Sequence, residues 1–264
     1  MISVCIATYN GEKYIAEQLN SILSQIGKDD EVLVSDDGST DETIAVIKSI
    51  NDLRIKILPP PPIQIQQTSR NEWFTINKIT ANFLNAIKYA KGDTVYLSDQ
   101  DDVWLPDKVG VCEEILRNHE VIVHTKTVVD QNLNYKVQRT TAQKDIRKAS
   151  FLQSLRLSHF QGACMAFTKR VCDKIKKNSD LILESNIAHD HAIGYVVLAY
   201  FGARSVCFEP KSLILYRRHG NNVSPTGEKS RHSLYFKIKY RIDDILLYSR
   251  LLLRKLTYSS TVHD

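Results

Sequence analysis

EVLVSDDGSTDETIAVIKSI, residues 31–50, decides the fold because it places a strand, a polar loop and a helix next to one another. The apolar stretch at its start is typical of a buried strand. Ser39 and Glu42 have the spacing of a capping box at a helix start. The isoleucines that follow recur at helical spacing and mark the buried stripe: Ile44, Ile47 and Ile50. One strand–helix unit of an α/β fold is therefore predicted.

The same alternation extends to both sides of this unit. ISVCIATY (2–9), TVYLSD (94–99) and VIVHTKTVV (121–129) are further apolar runs, and segments with helical periodicity separate them. Continuous apolar runs suit strands that are covered on both faces, as in a parallel sheet. The sequence therefore predicts an α/β fold with a Rossmann-like, mainly parallel sheet flanked by helices.

The second half of the chain alternates less regularly. GACMAFTKRV (162–171) predicts a strand that leads into a helix, and HDHAIGYVVLAYFG (189–202) predicts a buried helix. RSVCFE (204–209) and SLILYRR (212–218) predict two short strands. From about residue 230, apolar side chains recur with basic residues between them, which predicts a basic amphipathic helix as a C-terminal extension.

Composition limits the class of protein. A chain of 264 residues with 43% apolar content can bury one large core, or one core and a small appendage. The apolar run at 192–203 is too short to span a bilayer. Five cysteines without Cys-x-x-Cys spacing argue for a reducing compartment and against a structural zinc site. We therefore expect a cytoplasmic protein.

Polar side chains collect where three predicted strands end, at 8–10, 36–39 and 99–102. Ligands of open parallel sheets bind beyond the carboxyl ends of the strands, so these side chains should share one rim. The three aspartates within 99–102 repel one another, and a divalent cation would neutralise them. Carboxylate oxygens suit Mg²⁺ or Mn²⁺ bridging a substrate diphosphate.

Simpler explanations stay open for these residues. A helix cap with a tight turn accounts for 36–40, and short acidic runs such as 99–102 are commonly solvated loops. Trp104 favours a packed site wall beside the acids, although it could equally anchor the following helix.

The chain resembles the family 2 glycosyltransferases of the GT-A fold. The motifs that carry the resemblance keep the family's order: VCIATYNGEKYIAEQLNSILSQ (4–25), EVLVSDDGSTDET (31–43), NFLNAIKYAKGDTVYLSDQDDVWLPDKV (82–109), QGACMAF (161–167), HDH (189–191) and YRRHGNNVS (216–224). SDQDDVW and HGNNVS look most like the bacterial branch that builds O-antigen, capsule and related surface polysaccharides, often with rhamnosyl donors.

The resemblance implies a role for individual residues. Those expected to bind the nucleotide or the donor are Thr8, Tyr9, Asp37, Asp99, Gln100, Arg217 and His219. The Asp-x-Asp metal ligands would be Asp101 and Asp99. The general base would be Asp190, although a plain helix cap also explains that residue. The acceptor pocket would include Trp104, Gly162 and His189.

The implied activity is metal-dependent and inverting. A sugar would pass from a nucleoside-diphosphate sugar, of the dTDP-rhamnose or UDP-hexose type, to a glycan acceptor that is lipid-linked. One carboxylate takes the acceptor hydroxyl's proton, and Mn²⁺ or Mg²⁺ stabilises the departing diphosphate. The alternatives are a sugar-phosphate nucleotidyltransferase and a non-catalytic nucleotide- or cation-binding module. The ATYNGEKY loop argues against the nucleotidyltransferase, because it has one glycine and no arginine where a glycine- and arginine-rich phosphate loop is expected.

The resemblance also divides the chain. Residues 1–229 would form the catalytic domain, with a nucleotide-sugar-binding half to about 130 and an acceptor-binding half from about 131, and 230–264 would form the extension. Residues 211–264 hold eleven Lys and Arg against four Asp and Glu, within a net charge of +5. The basic helix could pack on the catalytic domain, contact an anionic membrane or bind nucleic acid. We favour the inner face of the cell membrane over nucleic acid.

The sequence departs from the family pattern at one loop. LPPPPIQIQQTSRNEWFTINKITANF (58–83) is longer than the family's usual loop and lacks glycine. Its proline run should be stiff and extended. Because the loop would border the donor pocket, the resemblance helps least with the identity of the donor.

Overall fold

The computed structural model describes residues 1–61, 72–139, 160–220, 222 and 233–260. The proline-bearing loop is covered only in part, and the end of the HGNNVS motif lies outside the described residues. The strands are β1 (Ile2–Thr8), β2 (Glu31–Asp36), β3 (Ile55–Ile57), β4 (Thr94–Ser98), β5 (Val103–Trp104), β6 (Val121–Val129), β7 (Tyr135–Arg139), β8 (Met165–Thr168) and β9 (Val206–Arg217). The helices are α1 (Ile15–Leu23), α2 (Thr43–Ser49), α3 (Glu72–Tyr89), α4 (Lys108–Leu116), α5 (Lys169–Lys177), α6 (Ser179–Glu184), α7 (His189–Tyr200) and α8 (Leu234–Ser260).

The strands form one sheet in the order β3-β2-β1-β4-β8-β6-β9-β5, and β7 pairs with β6. β3, β2, β1 and β4 run parallel, as do β6 and β9, whereas β8, β5 and β7 pair antiparallel with their neighbours. The predicted α/β fold is confirmed. Parallel pairing dominates the first half of the chain, and the second half mixes both directions.

The register of the parallel strands brings their carboxyl ends level. Thr8 of β1 lies opposite Asp36 of β2, and Ile6 lies opposite Ser98 at the end of β4. The middle of β1 is fully buried, as expected for a strand covered on both faces. The residues that follow these strands therefore meet at one rim.

Two local predictions were wrong. Ser39 and Glu42 form no capping box, because the Ser39 hydroxyl donates to Asp36 at 2.6 Å and the helix begins only at Thr43. The two short strands predicted over 204–218 are one strand, β9, which runs beside β6 with register shifts near Thr125. A bulged strand loses its simple alternation, which explains why the sequence pattern broke.

The C-terminal helix α8 packs on the rest of the chain through one face. Leu247 and Leu251 are buried against it, and Arg254 makes a two-pronged contact with Asp180 of α6 at 2.7 and 2.6 Å. The default packing of an amphipathic helix is therefore realised. Among the described residues, no helix is both long enough and apolar enough to cross a bilayer.

Candidate active site

A cavity of about 2120 Å³ opens at the rim where β1, β2 and β4 end. Its wall also includes side chains from α3, β6, β9, the start of α7 and α8. Small-molecule pockets ordinarily measure a few hundred to about 1,000 Å³, so this cavity is larger than an ordinary pocket for one small ligand. The predicted site residues that line it are Thr8, Tyr9, Asp37, Asp99, Gln100, Asp101, Gly162, His189, Asp190 and His219.

One end of the cavity is built by the loops after β1 and β2. The Asp37 carboxylate lies 2.7 Å from the Nζ atom of Lys78, which also sits 5.4 Å above the ring of the half-exposed Tyr9. Thr8 is buried, and its hydroxyl donates to Asp36 at 2.8 Å. This end therefore offers an aromatic face and a carboxylate whose partner is a lysine of α3.

Gln100 holds the acidic loop against the end of β1. Its Oε1 accepts the Tyr9 backbone N–H at 2.9 Å, and its Nε2 donates to the Tyr9 carbonyl at 3.0 Å. A Cβ atom on Gly11 would lie 2.3 Å from this amide, so only glycine fits there without a shift. Both ends of the Gln100 amide are thus used to fix Tyr9 relative to the acids.

Asp99, Asp101 and Asp102 can bring one oxygen each within 4.8 Å of one another. Burial, and then repulsion from Asp101, raise the pKa of Asp99 to about 7. Burial, and then repulsion from Asp101 and Asp99, also raise the pKa of Asp102. The Oδ2 atom of Asp102 has no hydrogen-bond partner among the described residues. The cluster is therefore short of positive charge.

Asp101 is positioned by the loop that follows β9. His219 Nε2 lies 2.7 Å from Asp101 Oδ2, and Asn222 Nδ2 donates to the same oxygen at 3.3 Å. The His219 ring stacks on Tyr14 with a centroid separation of 4.9 Å. His219, which was expected to bind the donor, therefore lies against Asp101, one of the expected metal ligands.

Arg217 does not line the cavity, although it was expected to hold the diphosphate. The side chain is only 3% exposed, and Nε and Nη1 donate to the carbonyls of Asp101 and Gln131 at 2.9 and 2.7 Å. Nη2 pairs with Glu17. Arg217 therefore holds the acidic loop from behind, because its neighbour Tyr216 occupies the face of β9 that meets the cavity.

Trp104 is likewise absent from the cavity wall, so its expected place in the acceptor pocket is wrong. Its indole is buried, donates to Ser98 Oγ at 3.2 Å and packs on Lys108, whose Nζ lies 4.2 Å from the ring. Trp104 anchors the start of α4 instead, which was the alternative that the sequence left open.

The opposite wall of the cavity carries Gly162, His189 and Asp190. His189 stacks on Phe83 at 4.1 Å, and burial lowers its pKa. A Cβ atom on Gly162 would approach His189 Nε2 to 2.4 Å. Asp190 follows in the first turn of α7, with Oδ1 accepting the His191 N–H at 2.9 Å.

Many residues of this cavity were not predicted from the sequence, among them Lys78, Lys126 and Tyr240. Lys78 left no signal, because a lysine on a helix surface is ordinary. Lys126 did leave a signal in the sequence, since it interrupts the apolar run of β6. Tyr240 of α8 accepts the Ala188 N–H at 3.0 Å and so caps the helix that carries Asp190.

The family model described as glycosyl transferase family 2 matches residues 3–176. The chain belongs to this family. The match covers most of the chain and includes the loops that carry Tyr9, Asp37 and the acidic cluster. The predicted family and its GT-A fold are thereby confirmed.

Relatives and solved structures agree with this membership. The dTDP-rhamnosyl transferase RfbG of Shigella flexneri is 26% identical over 245 residues, which are 89% of this chain and 77% of that protein. WfgD of Escherichia coli, named as a UDP-Glc:alpha-D-GlcNAc-diphosphoundecaprenol beta-1,3-glucosyltransferase, is 30% identical over 109 residues, 41% of this chain and 38% of WfgD. The structure of S. aureus TarS with UDP-GlcNAc has a TM-score of 0.63 at 20% identity and covers 97% of this chain and 71% of that chain.

The chain spans less than half the length of several curated relatives that it matches. The TarS likeness, at 20% identity, bears on the fold alone.

Proposed function

We propose that this family 2 glycosyltransferase moves a sugar from a nucleoside-diphosphate sugar to a glycan acceptor with inversion at the anomeric carbon. The observation that carries the proposal is the arrangement of three groups in one cavity. Tyr9 and Asp37 lie at one end, the acidic cluster lies at the rim after β4, and Asp190 stands on the wall formed by α7.

The acidic cluster fits a divalent cation. Its oxygen atoms lie close enough for one ion, and burial together with repulsion between the carboxylates raises the pKa of Asp99 and of Asp102, which a cation would counter. Hard carboxylate ligands suit Mg²⁺ or Mn²⁺. We assign Asp101 and Asp99 as the ligands, since both line the cavity and Asp102 does not. A bound cation would supply Lewis-acid stabilisation of the departing nucleoside diphosphate.

The side chains of the chain itself supply orientation and proton transfer. Tyr9 offers an aromatic face to a nucleobase. The Asp37 carboxylate can accept an N–H of that base in addition to its contact with Lys78. Asp190 takes the proton of the acceptor hydroxyl as that oxygen attacks the anomeric carbon. A single displacement of this kind needs no covalent nucleophile and inverts the configuration.

The names of the relatives guide the choice of substrates. RfbG is named for dTDP-rhamnose, and WfgD for UDP-glucose and a diphosphoundecaprenol-linked acceptor. We propose a donor of one of these two types and a lipid-linked glycan acceptor from bacterial surface-polysaccharide synthesis.

The second supporting feature is a half-exposed row on α8, formed by Ile238, Ile242 and Ile245, which also lines the cavity. Basic side chains lie beside this row, so the helix is suited to an anionic membrane surface next to the acceptor.

The decisive experiment follows donor hydrolysis and donor binding across a panel of UDP- and dTDP-sugars with Mn²⁺. Wild type should release one nucleoside diphosphate slowly and only with metal. Asp101→Asn should lose metal-dependent binding by at least about 10-fold, because it removes a ligand charge. Asp190→Asn should keep nucleotide binding and lose transfer by about 100-fold or more.

The same panel separates the alternatives. A nucleotidyltransferase would form nucleotide sugar from a nucleoside triphosphate and a sugar phosphate, and a binding module would bind without turnover. If no nucleotide sugar binds with metal, the proposed function is wrong.

A further inference from the structure

Lys126 is a buried lysine that the proposed catalytic cycle does not yet use. It lies on β6, is 5% exposed, and its Nζ atom sits 3.8 Å from the centroid of the Tyr216 ring. Both residues line the cavity, next to the acidic cluster and Cys164. Among the described residues, Lys126 has no hydrogen-bond acceptor and no carboxylate within ion-pair distance.

Lys108, a second buried lysine in the same region, has a hydrogen-bond acceptor, which Lys126 lacks among the described residues. It is fully buried, but its Nζ donates to the Ala163 carbonyl at 3.1 Å and packs on Trp104, and burial lowers its pKa to about 8. It is absent from the cavity wall. Lys126 instead meets the cavity with three N–H donors of which the Tyr216 ring covers one side. The Lys126 side chain is buried while its ammonium group faces the cavity, so an anion bound there would complete its surroundings.

The position of Lys126 narrows the choice of anion. Asp37, Tyr9 and the acidic cluster follow β2, β1 and β4, and Lys126 lies on β6, two strands beyond β4 in the sheet. At ordinary strand spacing β6 lies about 10 Å from β4 across the sheet, on the side away from β1 and β2. Both substrates of the proposed reaction carry phosphate: the donor in its diphosphate, and a lipid-linked acceptor in its own.

We infer that Lys126 binds a phosphate group of a substrate in this cavity. The inference rests on the proposed function for the supply of phosphate, and on the burial and missing partner of Lys126 for the site. Tyr216 holds the ammonium group in place through its ring face, and the phosphate oxygens accept the remaining N–H groups.

The test measures binding of inorganic diphosphate by calorimetry with MgCl₂ present. Lys126→Met should weaken binding by about 10-fold or more, whereas Lys126→Arg should retain most of it, since the positive charge remains. Lys174→Met is the matched control, because Lys174 also lies over a tyrosine ring, that of Tyr200 at 5.1 Å, but outside the cavity. Circular dichroism confirms that each variant is folded.

A second arm identifies the source of the phosphate. The titration is repeated with the enzyme saturated by whichever of UDP or dTDP binds. If the nucleotide blocks the Lys126-dependent binding, the site belongs to the donor; if the binding persists, it belongs to the acceptor. Diphosphate that fails to bind wild type, or binds Lys126→Met equally well, overturns the inference. Failure of the proposed function would be seen separately, as the absence of nucleotide binding.

Discussion

At the residue scale, Gly162 leaves no room for a side chain on the cavity wall that carries Asp190. An added Cβ would lie 2.4 Å from His189 Nε2, and His189 is itself fixed against Phe83. The neighbour of His189 is Asp190, the proposed base. Crowding at Gly162 should therefore be transmitted to Asp190 through one buried ring.

Gly162→Ala should lower the free energy of unfolding by about 1–3 kcal/mol, because overpacking forces buried groups to move. It should also reduce the rate of transfer more than the affinity for nucleotide, since Tyr9 and Asp37 lie at the other end of the cavity. Thermal unfolding and donor titration measure the two effects.

Gly110→Ala is the control for this substitution. Gly110 lies inside α4, and an added Cβ would meet nothing within 4 Å. Replacing glycine by alanine in a helix interior should stabilise the protein by about 0.5–1 kcal/mol. A stable, fully active Gly162→Ala enzyme would show that His189 does not position Asp190.

The residues that sequence reasoning placed well are those beside a strand end. Tyr9, Asp37 and Asp101 meet because adjacent parallel strands end level, which local patterns already imply. The predictions for Arg217 and Trp104 were wrong because the face of the sheet on which a side chain lies depends on how its strand pairs with a strand that is distant in sequence. β9 pairs with β6 and β5 through contacts between segments far apart in sequence, and register shifts make its facing unpredictable.

At the element scale, α8 has two faces with different surroundings. The buried face packs on α6 and α7, and the opposite face carries a row of exposed leucines beyond the cavity: Leu246, Leu253 and Leu256. Together with the isoleucines at the cavity, this row runs along much of the helix. Amphipathicity of the helix was evident from the sequence, but its contact with Ala188 was not.

The leucine row predicts binding to anionic membranes. Wild type should sediment with vesicles of phosphatidylglycerol and less with phosphatidylcholine, because basic side chains flank the apolar row. Replacing Leu246, Leu253 and Leu256 together by serine should reduce partitioning by at least about 10-fold, through the loss of buried apolar area. Donor hydrolysis should not change, since these leucines are absent from the cavity wall.

Leu53→Ser is the control for this triple variant. Leu53 is 96% exposed on another part of the surface, so its loss should leave vesicle binding unchanged. Equal sedimentation of wild type and the triple variant would refute a role for the α8 row.

At the scale of the whole molecule, the acidic cluster of Asp99, Asp101 and Asp102 affects stability as well as the proposed metal binding. The carboxylates lie close together in the folded protein even when no cation is bound. Their mutual repulsion therefore destabilises the folded state but not the unfolded state. The loop is held by Gln100, His219, Asn222 and Arg217, which spread the cost over β1 and β9. Stability without metal should therefore depend on the charge of Asp99.

The sign of this dependence follows from the pKa. Burial, then Asp101, raise the pKa of Asp99 from 3.8 to about 7, with Lys126 and Lys108 opposing and Asp190 adding to the shift. A carboxyl that is harder to ionise in the folded state destabilises the fold at high pH, and the penalty shrinks as the pH falls through 7. Burial lowers the pKa of Lys108 to about 8, so Lys108 opposes part of this gain near pH 8. Burial also lowers the pKa of His189 and of His124, so those residues act in the opposite direction below about pH 6.5.

We therefore expect the metal-free protein to become more stable as the pH falls from 8 to 6.5. The measurement is its melting temperature in EDTA. Mn²⁺ should remove this pH dependence, because a bound cation keeps Asp99 ionised at no cost, and should raise the melting temperature at pH 8. Asp99→Asn should raise the melting temperature of the metal-free protein at pH 8 and abolish the gain on acidification. If wild type and Asp99→Asn show the same pH profile in EDTA, repulsion within the cluster is not what couples metal binding to stability.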